Sequence, residues 1–102
     1  MQKNGEKYIW TRHSRDKMRY YKLAESRVKR IIRHPARIEE GILEGAVACM
    51  QPADNKRYSE IWVMYVLKNR VIKIITAWRY PGKSSARNPV PTNILLEIKG
   101  LI

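Results

Sequence analysis

The sequence has little of what small enzymes use to hold a metal ion or a nucleotide. Among its 102 residues are one cysteine, Cys49, and two histidines, so neither an internal disulfide nor a zinc site of ordinary ligand spacing is available. A phosphate-cradling glycine loop and a nucleophile elbow are also missing. These absences argue against a metalloenzyme, a nucleotidase and a hydrolase. We expect no cofactor and no metal, and we expect Cys49 to be a small buried residue on a strand.

Long apolar segments are missing as well. The longest uninterrupted apolar run, residues 61–67, is far shorter than the roughly 20 residues that cross a bilayer. Residues 1–7 are polar and charged and contain no stretch typical of a signal peptide. We therefore expect a soluble, cytoplasmic protein without a membrane partner. With 44% hydrophobic residues, the chain is long enough for one domain with a small core, covering residues 1–102.

Acidic residues are scarce, and the positive charge is unevenly distributed. Residues 1–35 hold eleven Lys/Arg and three Asp/Glu, residues 36–69 hold four and five, and residues 70–102 hold six and one. The net charge of +12 is therefore +8, −1 and +5 by segment. Basic segments on either side of a neutral one indicate one electropositive face. The expected partner is a polyanion, with RNA as the first choice.

The first third of the chain has the pattern of a short extended segment followed by two helices. Residues 8–11 look extended, and Thr11 or Ser14 is placed to cap a basic helix with Asp16 in its first turn. In the second helix, apolar residues recur at helical spacing among basic ones, and Pro35 ends it.

After Pro35 the periodicity is typical of strands. We expect an edge strand or loop within residues 36–44, a strand at 46–51, a central strand at 60–68 with both faces apolar, and a strand at 71–80 after a tight turn. Residues 81–102 hold a loop and an apolar C-terminal segment that docks on the sheet or on a partner. The predicted fold is α+β, with two N-terminal helices packed on an antiparallel sheet of three to four strands. The expected core includes Val28, Ile32, Val63 and Tyr65.

Several residues in the predicted helices and the last strand form a pattern found in a known superfamily. They are His13 opening the first helix, Met18 within it, Val28, Ile31 and Ile32 before Pro35, and residues 76–80, which read Thr-Ala-Trp-Arg-Tyr. Over residues 8–80 this pattern resembles the RelE/ParE-like superfamily of small toxins, in a subfamily with a histidine at the start of the first helix. The resemblance implies a RelE-like fold and a bacterial or archaeal toxin. Many such toxins are metal-independent ribonucleases, and relatives occur as toxin tips of contact-dependent systems. It also implies association with ribosomes and an acidic antitoxin or immunity protein as partner.

Cleavage of RNA without a metal needs a base for the 2′-hydroxyl, cations for the phosphorane and an acid for the leaving oxygen. His13, among basic neighbours at a helix start, is the best candidate base. Strict alternation along the last strand places Lys73 and Arg79 on one face and Tyr80 on the other. In the superfamily, basic residues gather on the open face or at strand ends, so Lys73 and Arg79 fit the cation role and Tyr80 that of an acid or stacking surface. Each has a structural alternative: a histidine that orders its helix, and solvated positions of a half-exposed strand.

Basic residues interleaved with aromatic ones also fit plain nucleic-acid binding. The candidate contacts are Arg12, Arg15, Arg19, Arg27, Arg30, Arg33, Lys56 and Arg57. Tyr20 and Tyr21 offer stacking surfaces, but adjacent helical positions point in different directions, so at least one belongs to the core. The leading prediction is a toxin-like RNA-binding protein that acts as a metal-independent endoribonuclease. The alternatives are a nonenzymatic nucleic-acid-binding module and an inactive toxin-like protein-interaction domain.

Overall fold

The computed structural model describes residues 7–53 and 56–101, which form a five-stranded sheet with helices on both faces. The elements in chain order are β1 (Lys7–Trp10), α1 (Arg12–Tyr21), α2 (Glu25–Arg33), β2 (Arg37–Glu40), β3 (Ala46–Pro52), β4 (Ser59–Lys68), β5 (Val71–Pro81) and α3 (Thr92–Ile98). The strand order across the sheet is β1-β5-β4-β3-β2. The predicted α+β class is confirmed.

The sheet itself differs from the prediction of three to four antiparallel strands. It has five strands, and β1 runs parallel to the first half of β5, with Lys7 opposite Val71 and Trp10 opposite Ile74. The remaining pairs are antiparallel. The four residues of β1 are too few to show a clear alternating pattern. The strand is stabilised by its hydrogen bonds to β5, which lies far along the chain.

The first helix begins at Thr11, one of the two predicted caps. The Thr11 hydroxyl accepts a 3.0 Å hydrogen bond from the Ser14 backbone N–H and donates a 2.7 Å bond to the carbonyl of Ile74 on β5. Ser14 is buried inside the first turn instead of capping it. The expected place of Asp16 in that turn is wrong, since it lies beyond the turn and pairs with Arg19 at 2.8 Å.

The second helix ends close to Pro35, as predicted. It begins after Ala24, whose side chain makes no capping bond, so the helix depends on packing more than on its own ends. Val28 and Ile31 are fully buried, whereas Ile32 packs at the border of the core.

A β-bulge interrupts the pairing of the two long strands. Met64 lies opposite Thr76, but Tyr65 lies opposite Ile74, which leaves Ile75 as an extra residue on β5. One extra residue reverses which face the following side chains reach. Ile74 and Ala77 therefore both pack toward α1 and α2. The strict alternation predicted for this strand is wrong.

Each face of the sheet has its own apolar cluster. The cluster under α1 and α2 holds Met18, Leu23, Val28, Ile31, Cys49, Ile61, Val63, Ile72, Ile74 and Ala77. The cluster under α3 holds Ala46, Ala48, Met50, Trp62, Met64, Ile75, Trp78, Val90, Ile94 and Ile98. The central strand β4 is thus covered on both sides, as predicted, and the C-terminal segment docks on the sheet. Of the expected core residues, Tyr65, like Ile32, is only partly buried.

Cys49 is buried on β3, as predicted. Burial raises the pKa of its thiol to about 12, so the nucleophilic thiolate is a minor form at neutral pH. No helix in the described part of the chain is long and apolar enough to cross a membrane.

Candidate nucleic-acid interface

The outer layer of α1 and α2 carries a dense set of cations. In these two helices the basic residues are Arg12, Arg15, Lys17, Arg19, Arg27, Lys29, Arg30 and Arg33, against two acids, Asp16 and Glu25. The apolar side of each helix packs on the sheet, so the basic positions line the opposite side and the flanks. This arrangement gives the protein the electropositive face that the charge distribution predicts.

The cations of this layer fall into two groups by their partners. Arg15 pairs with Glu25 at 2.9 Å and Arg19 with Asp16 at 2.8 Å, so both acids of the layer are already engaged. Arg12, Arg30 and Arg33 are exposed, and within residues 7–53 and 56–101 they form no ion pair. Their charge is available to a ligand.

The predicted loop contacts lie at one end of the same layer. Arg27 donates a 3.3 Å hydrogen bond to the carbonyl of Pro52, which ends β3 just before the loop. Ala53 packs against the cluster under α1 and α2, and Lys56 and Arg57 are exposed beyond it. Lys56 and Arg57 therefore extend the basic surface beside α2.

Acidic side chains gather elsewhere. Glu39, Glu40 and Glu44 belong to β2 and the loop that follows it, at the sheet edge farthest in strand order from β1. This separation of charge favours one orientation for an approaching polyanion.

His13 lies where α1 crosses the edge of β5 and meets α3. Its Nε2 is 2.6 Å from Glu97 Oε2, and Lys17 Nζ lies 3.2 Å from the same oxygen. His13 and Glu97 side chains are each about a quarter exposed. The histidine, the lysine one turn later and the carboxylate form a small, partly exposed polar cluster. The Nε2 atom itself is buried against Glu97, and its angle to the carboxylate does not make a hydrogen bond in the described structure. The sequence did not predict that Lys17 and Glu97 lie beside His13. The spacing of His13 and Lys17 on one helix face was available as a signal, but nothing local pairs them with the carboxylate of Glu97 in the last helix.

The other three predicted catalytic residues do not join His13. Arg79 lies two residues after Ala77 on β5 and therefore on the same α1/α2 side. It donates hydrogen bonds of 3.3 and 3.4 Å to the carbonyl of Tyr21. Lys73 lies opposite Val66, which packs on the α3 side. Because the bulge separates them, Lys73 and Arg79 face opposite sides of the sheet, and the prediction that they share a face is wrong. Tyr80 packs against the cluster under α3.

Tyr20 and Tyr21 differ in the way that their adjacent positions predict. Tyr20 is 76% exposed, whereas Tyr21 packs against both apolar clusters. Their rings meet edge to face with centroids 4.8 Å apart. Tyr20 is thus free to contact a ligand, and Tyr21 belongs to the core.

A second polar cluster is buried on the α3 side around Glu60. One oxygen of Glu60 accepts bonds from Trp62 Nε1 at 2.9 Å and Ser84 Oγ at 2.6 Å, and the other from Tyr58 Oη at 3.1 Å and the Ser84 N–H at 3.2 Å. Burial alone raises the pKa of a carboxyl group, but these bonds favour the charged form and hold the pKa of Glu60 below its ordinary value of 4.5. Because its oxygens are engaged, Glu60 anchors the loop before α3 and offers nothing to a ligand.

Among residues 7–53 and 56–101, no three His, Cys, Asp or Glu side chains are grouped so that they could hold a metal ion. Comparisons with protein families, with curated proteins and with solved structures found no match to this chain.

Proposed function

We propose that the protein binds single-stranded RNA on the basic layer of α1 and α2. The observation that carries the proposal is the exposure of Arg12, Arg30 and Arg33 without acidic partners in the described structure, on a layer whose two acids are already paired. Unpaired arginines at an exposed surface gain energy from phosphates, because binding releases the counterions condensed on the nucleic acid.

The proposal predicts a strong dependence of affinity on salt. Contacts to five phosphates of a single strand give a slope of about −3.5 in a plot of log affinity against log salt. Fluorescence anisotropy with a labelled oligoribonucleotide measures this slope. A flat dependence between low and moderate salt, or no binding at low salt, contradicts the proposal.

A matched pair of triple variants separates a defined surface from net charge. Arg12/Arg30/Arg33→Ser removes three cations from the helical layer, and Lys68/Lys83/Arg87→Ser removes three exposed cations from the hairpin tip and the loop before α3. We expect the first variant to bind at least tenfold more weakly and to lose about 2 units of salt slope, and the second to change little. If both variants lost RNA affinity equally, net charge and not a defined surface would determine binding.

RNA cleavage is a second candidate, favoured by the contact between His13 and Glu97. A carboxylate beside an imidazole orients it for proton transfer, and Lys17 places a cation next to the pair. In this mechanism His13 takes the proton of a 2′-hydroxyl, the 2′-oxygen attacks the adjacent phosphorus, and the bond to the 5′-oxygen breaks as that oxygen takes a proton from solvent water. The products are a 2′,3′-cyclic phosphate and a 5′-hydroxyl end, and Lys17 stabilises the phosphorane.

The cleavage test uses labelled RNA incubated with pure protein and excess chelator, with and without ribosomes. If the protein is a nuclease, His13→Ala should slow cleavage by roughly 10²- to 10⁴-fold while RNA affinity stays nearly unchanged. If RNA stays intact with the wild-type protein under all these conditions, cleavage is excluded and only RNA binding is retained as the function. The toxin role and the acidic antitoxin or immunity partner stay predictions from the RelE/ParE resemblance.

A further inference from the structure

Two aromatic side chains of the edge strand β1 lie side by side at the border of the helical layer. Tyr8 and Trp10 alternate along β1, so both reach the α1/α2 side, where they pack against the core and stay partly exposed. Their rings are nearly parallel, with an interplanar angle of 20° and centroids 6.1 Å apart. β1 is the outermost strand of the sheet that residues 7–53 and 56–101 form, so no other strand within these residues flanks the rings on its outer side.

Each ring has a cation above it. Arg15 Cζ lies 5.5 Å from the centroid of Trp10, and Lys29 Nζ lies 4.9 Å from that of Tyr8. Both cations lie over the rings on which a base would stack, so a bound base replaces them there. The Arg15–Glu25 pair is 49% and 44% exposed, and a surface pair of this kind is readily exchanged for a phosphate. A shallow groove of about 250 Å³ continues from Arg15 between the helices, lined also by Met18, Arg19, Leu23 and Glu25. Aromatic surface and positive charge thus lie within 5.5 Å of each other, close enough for one nucleotide to contact both.

We propose that Tyr8 and Trp10 form a stacking platform for the bases of single-stranded RNA, with Arg15 and Lys29 moving from the rings to the adjoining phosphates as the bases stack. The inference rests on the proposed RNA binding and adds how the bases are held. Bases stack on aromatic rings and on guanidinium planes whatever their sequence, and they are accessible for this only in a single strand. The platform therefore predicts a preference for unpaired RNA with little dependence on sequence.

Tryptophan fluorescence tests the platform in the unaltered protein. The chain has three tryptophans, and Trp62 and Trp78 are 0% and 1% exposed, so Trp10 is the one that a bound base reaches. We expect saturating oligouridylate to quench the emission, and an oligomer of the same length with abasic sites to quench it much less. Equal emission changes with the two oligomers would overturn the platform.

Affinities for the same two oligomers separate this inference from the proposed function. We expect the wild type to bind the base-containing oligomer about 5- to 150-fold more tightly than the abasic one, the range expected from stacking. Trp10→Leu should remove most of that preference, leaving the share of Tyr8, and Trp10→Phe should keep more of it. If the wild type binds both oligomers equally, the platform fails and the basic surface stands. If it binds neither, RNA binding and the platform both fail.

Tyr8 supplies a control within the platform. Its hydroxyl is buried and has no hydrogen-bond partner within the described structure, so Tyr8→Phe removes an atom that neither the fold nor stacking uses. We expect Tyr8→Phe to keep the preference for bases and Tyr8→Ala to weaken it, with both variants checked for folding by circular dichroism. Loss of the preference in Tyr8→Phe, or its full retention in a folded Tyr8→Ala, would overturn the role of this ring.

Discussion

The two faces of the sheet use aromatic and charged residues in opposite ways. On the α3 side, Trp62 and Trp78 stack with an interplanar angle of 2° and centroids 5.7 Å apart, and the carboxylate of Glu60 is enclosed by its donors. On the α1/α2 side, Tyr8 and Trp10 stay partly exposed, and several arginines point outward without partners in the described structure. The same residue types thus stabilise the fold on one face and are open to a ligand on the other. Substitution of these aromatic and charged residues on the α3 side should change the free energy of unfolding, and substitution of those on the α1/α2 side should change affinity.

The largest effect is expected for Trp62→Ala. Trp62 is fully buried and donates to Glu60, so its truncation should lower the free energy of unfolding by about 3–5 kcal/mol. The matched control is Tyr20→Ala, which truncates an aromatic ring that is 76% exposed on α1 and should change stability by less than about 0.5 kcal/mol. Urea unfolding followed by circular dichroism measures both, and similar midpoint shifts would contradict the division between the two faces.

The next effect concerns the charge of Glu60. Glu60→Gln keeps the shape but weakens charge-assisted bonds, so we expect a loss of about 1.5–3 kcal/mol at neutral pH. Because the pKa of Glu60 is lower in the folded state, its charge stabilises the fold above about pH 4.5, and this contribution disappears as the pH falls through the lowered pKa. The difference between wild type and variant should therefore shrink below about pH 4.5.

Glu40→Gln is the control for that experiment, since Glu40 is exposed on β2. This substitution should leave the free energy of unfolding almost unchanged at every pH. A gap between wild type and Glu60→Gln that stays constant from pH 7 to pH 3 would show that the charge of Glu60 does not stabilise the fold.

The smallest effect has the opposite sign. Thr76 is fully buried beside Met64, and its hydroxyl has no hydrogen-bond partner in the described structure. Thr76→Val keeps the volume and removes the unsatisfied group, so we expect a gain of about 1 kcal/mol in the free energy of unfolding and no change in RNA affinity. Thermal unfolding measures it, and a lower melting temperature would reveal a partner for this hydroxyl.

Local signals predicted those parts of the fold that depend on neighbouring residues. The cap at Thr11, the end of α2 near Pro35 and the burial of Cys49 follow from capping chemistry, proline geometry and hydrophobic alternation within a few residues. The exposure of Tyr20 against the packing of Tyr21 follows from the helical period in the same way.

The candidate site was harder to predict, because its geometry depends on contacts between distant segments. The bulge at Ile75 has no marker such as glycine or proline, yet it sends Lys73 and Arg79 to opposite faces. The residues next to His13 in the sequence indicate a candidate base, whereas its partner Glu97 comes from the last helix.

The sequence alone specified α1, α2, the three longer strands, the two-sided burial of β4 and the concentration of positive charge in the first third of the chain, but it did not indicate that Thr92–Ile98 forms a helix. These properties come from side-chain chemistry and periodicity, which act over one or two turns of a helix or a few residues of a strand. Only the tertiary structure decided that β1 pairs parallel to β5, that α3 brings Glu97 to His13, and that Tyr8 and Trp10 lie beneath Lys29 and Arg15. Strand register and helix docking depend on the burial and hydrogen bonding of the whole chain, because the arrangement with the lowest total free energy forms. A short segment does not contain the information needed to predict it.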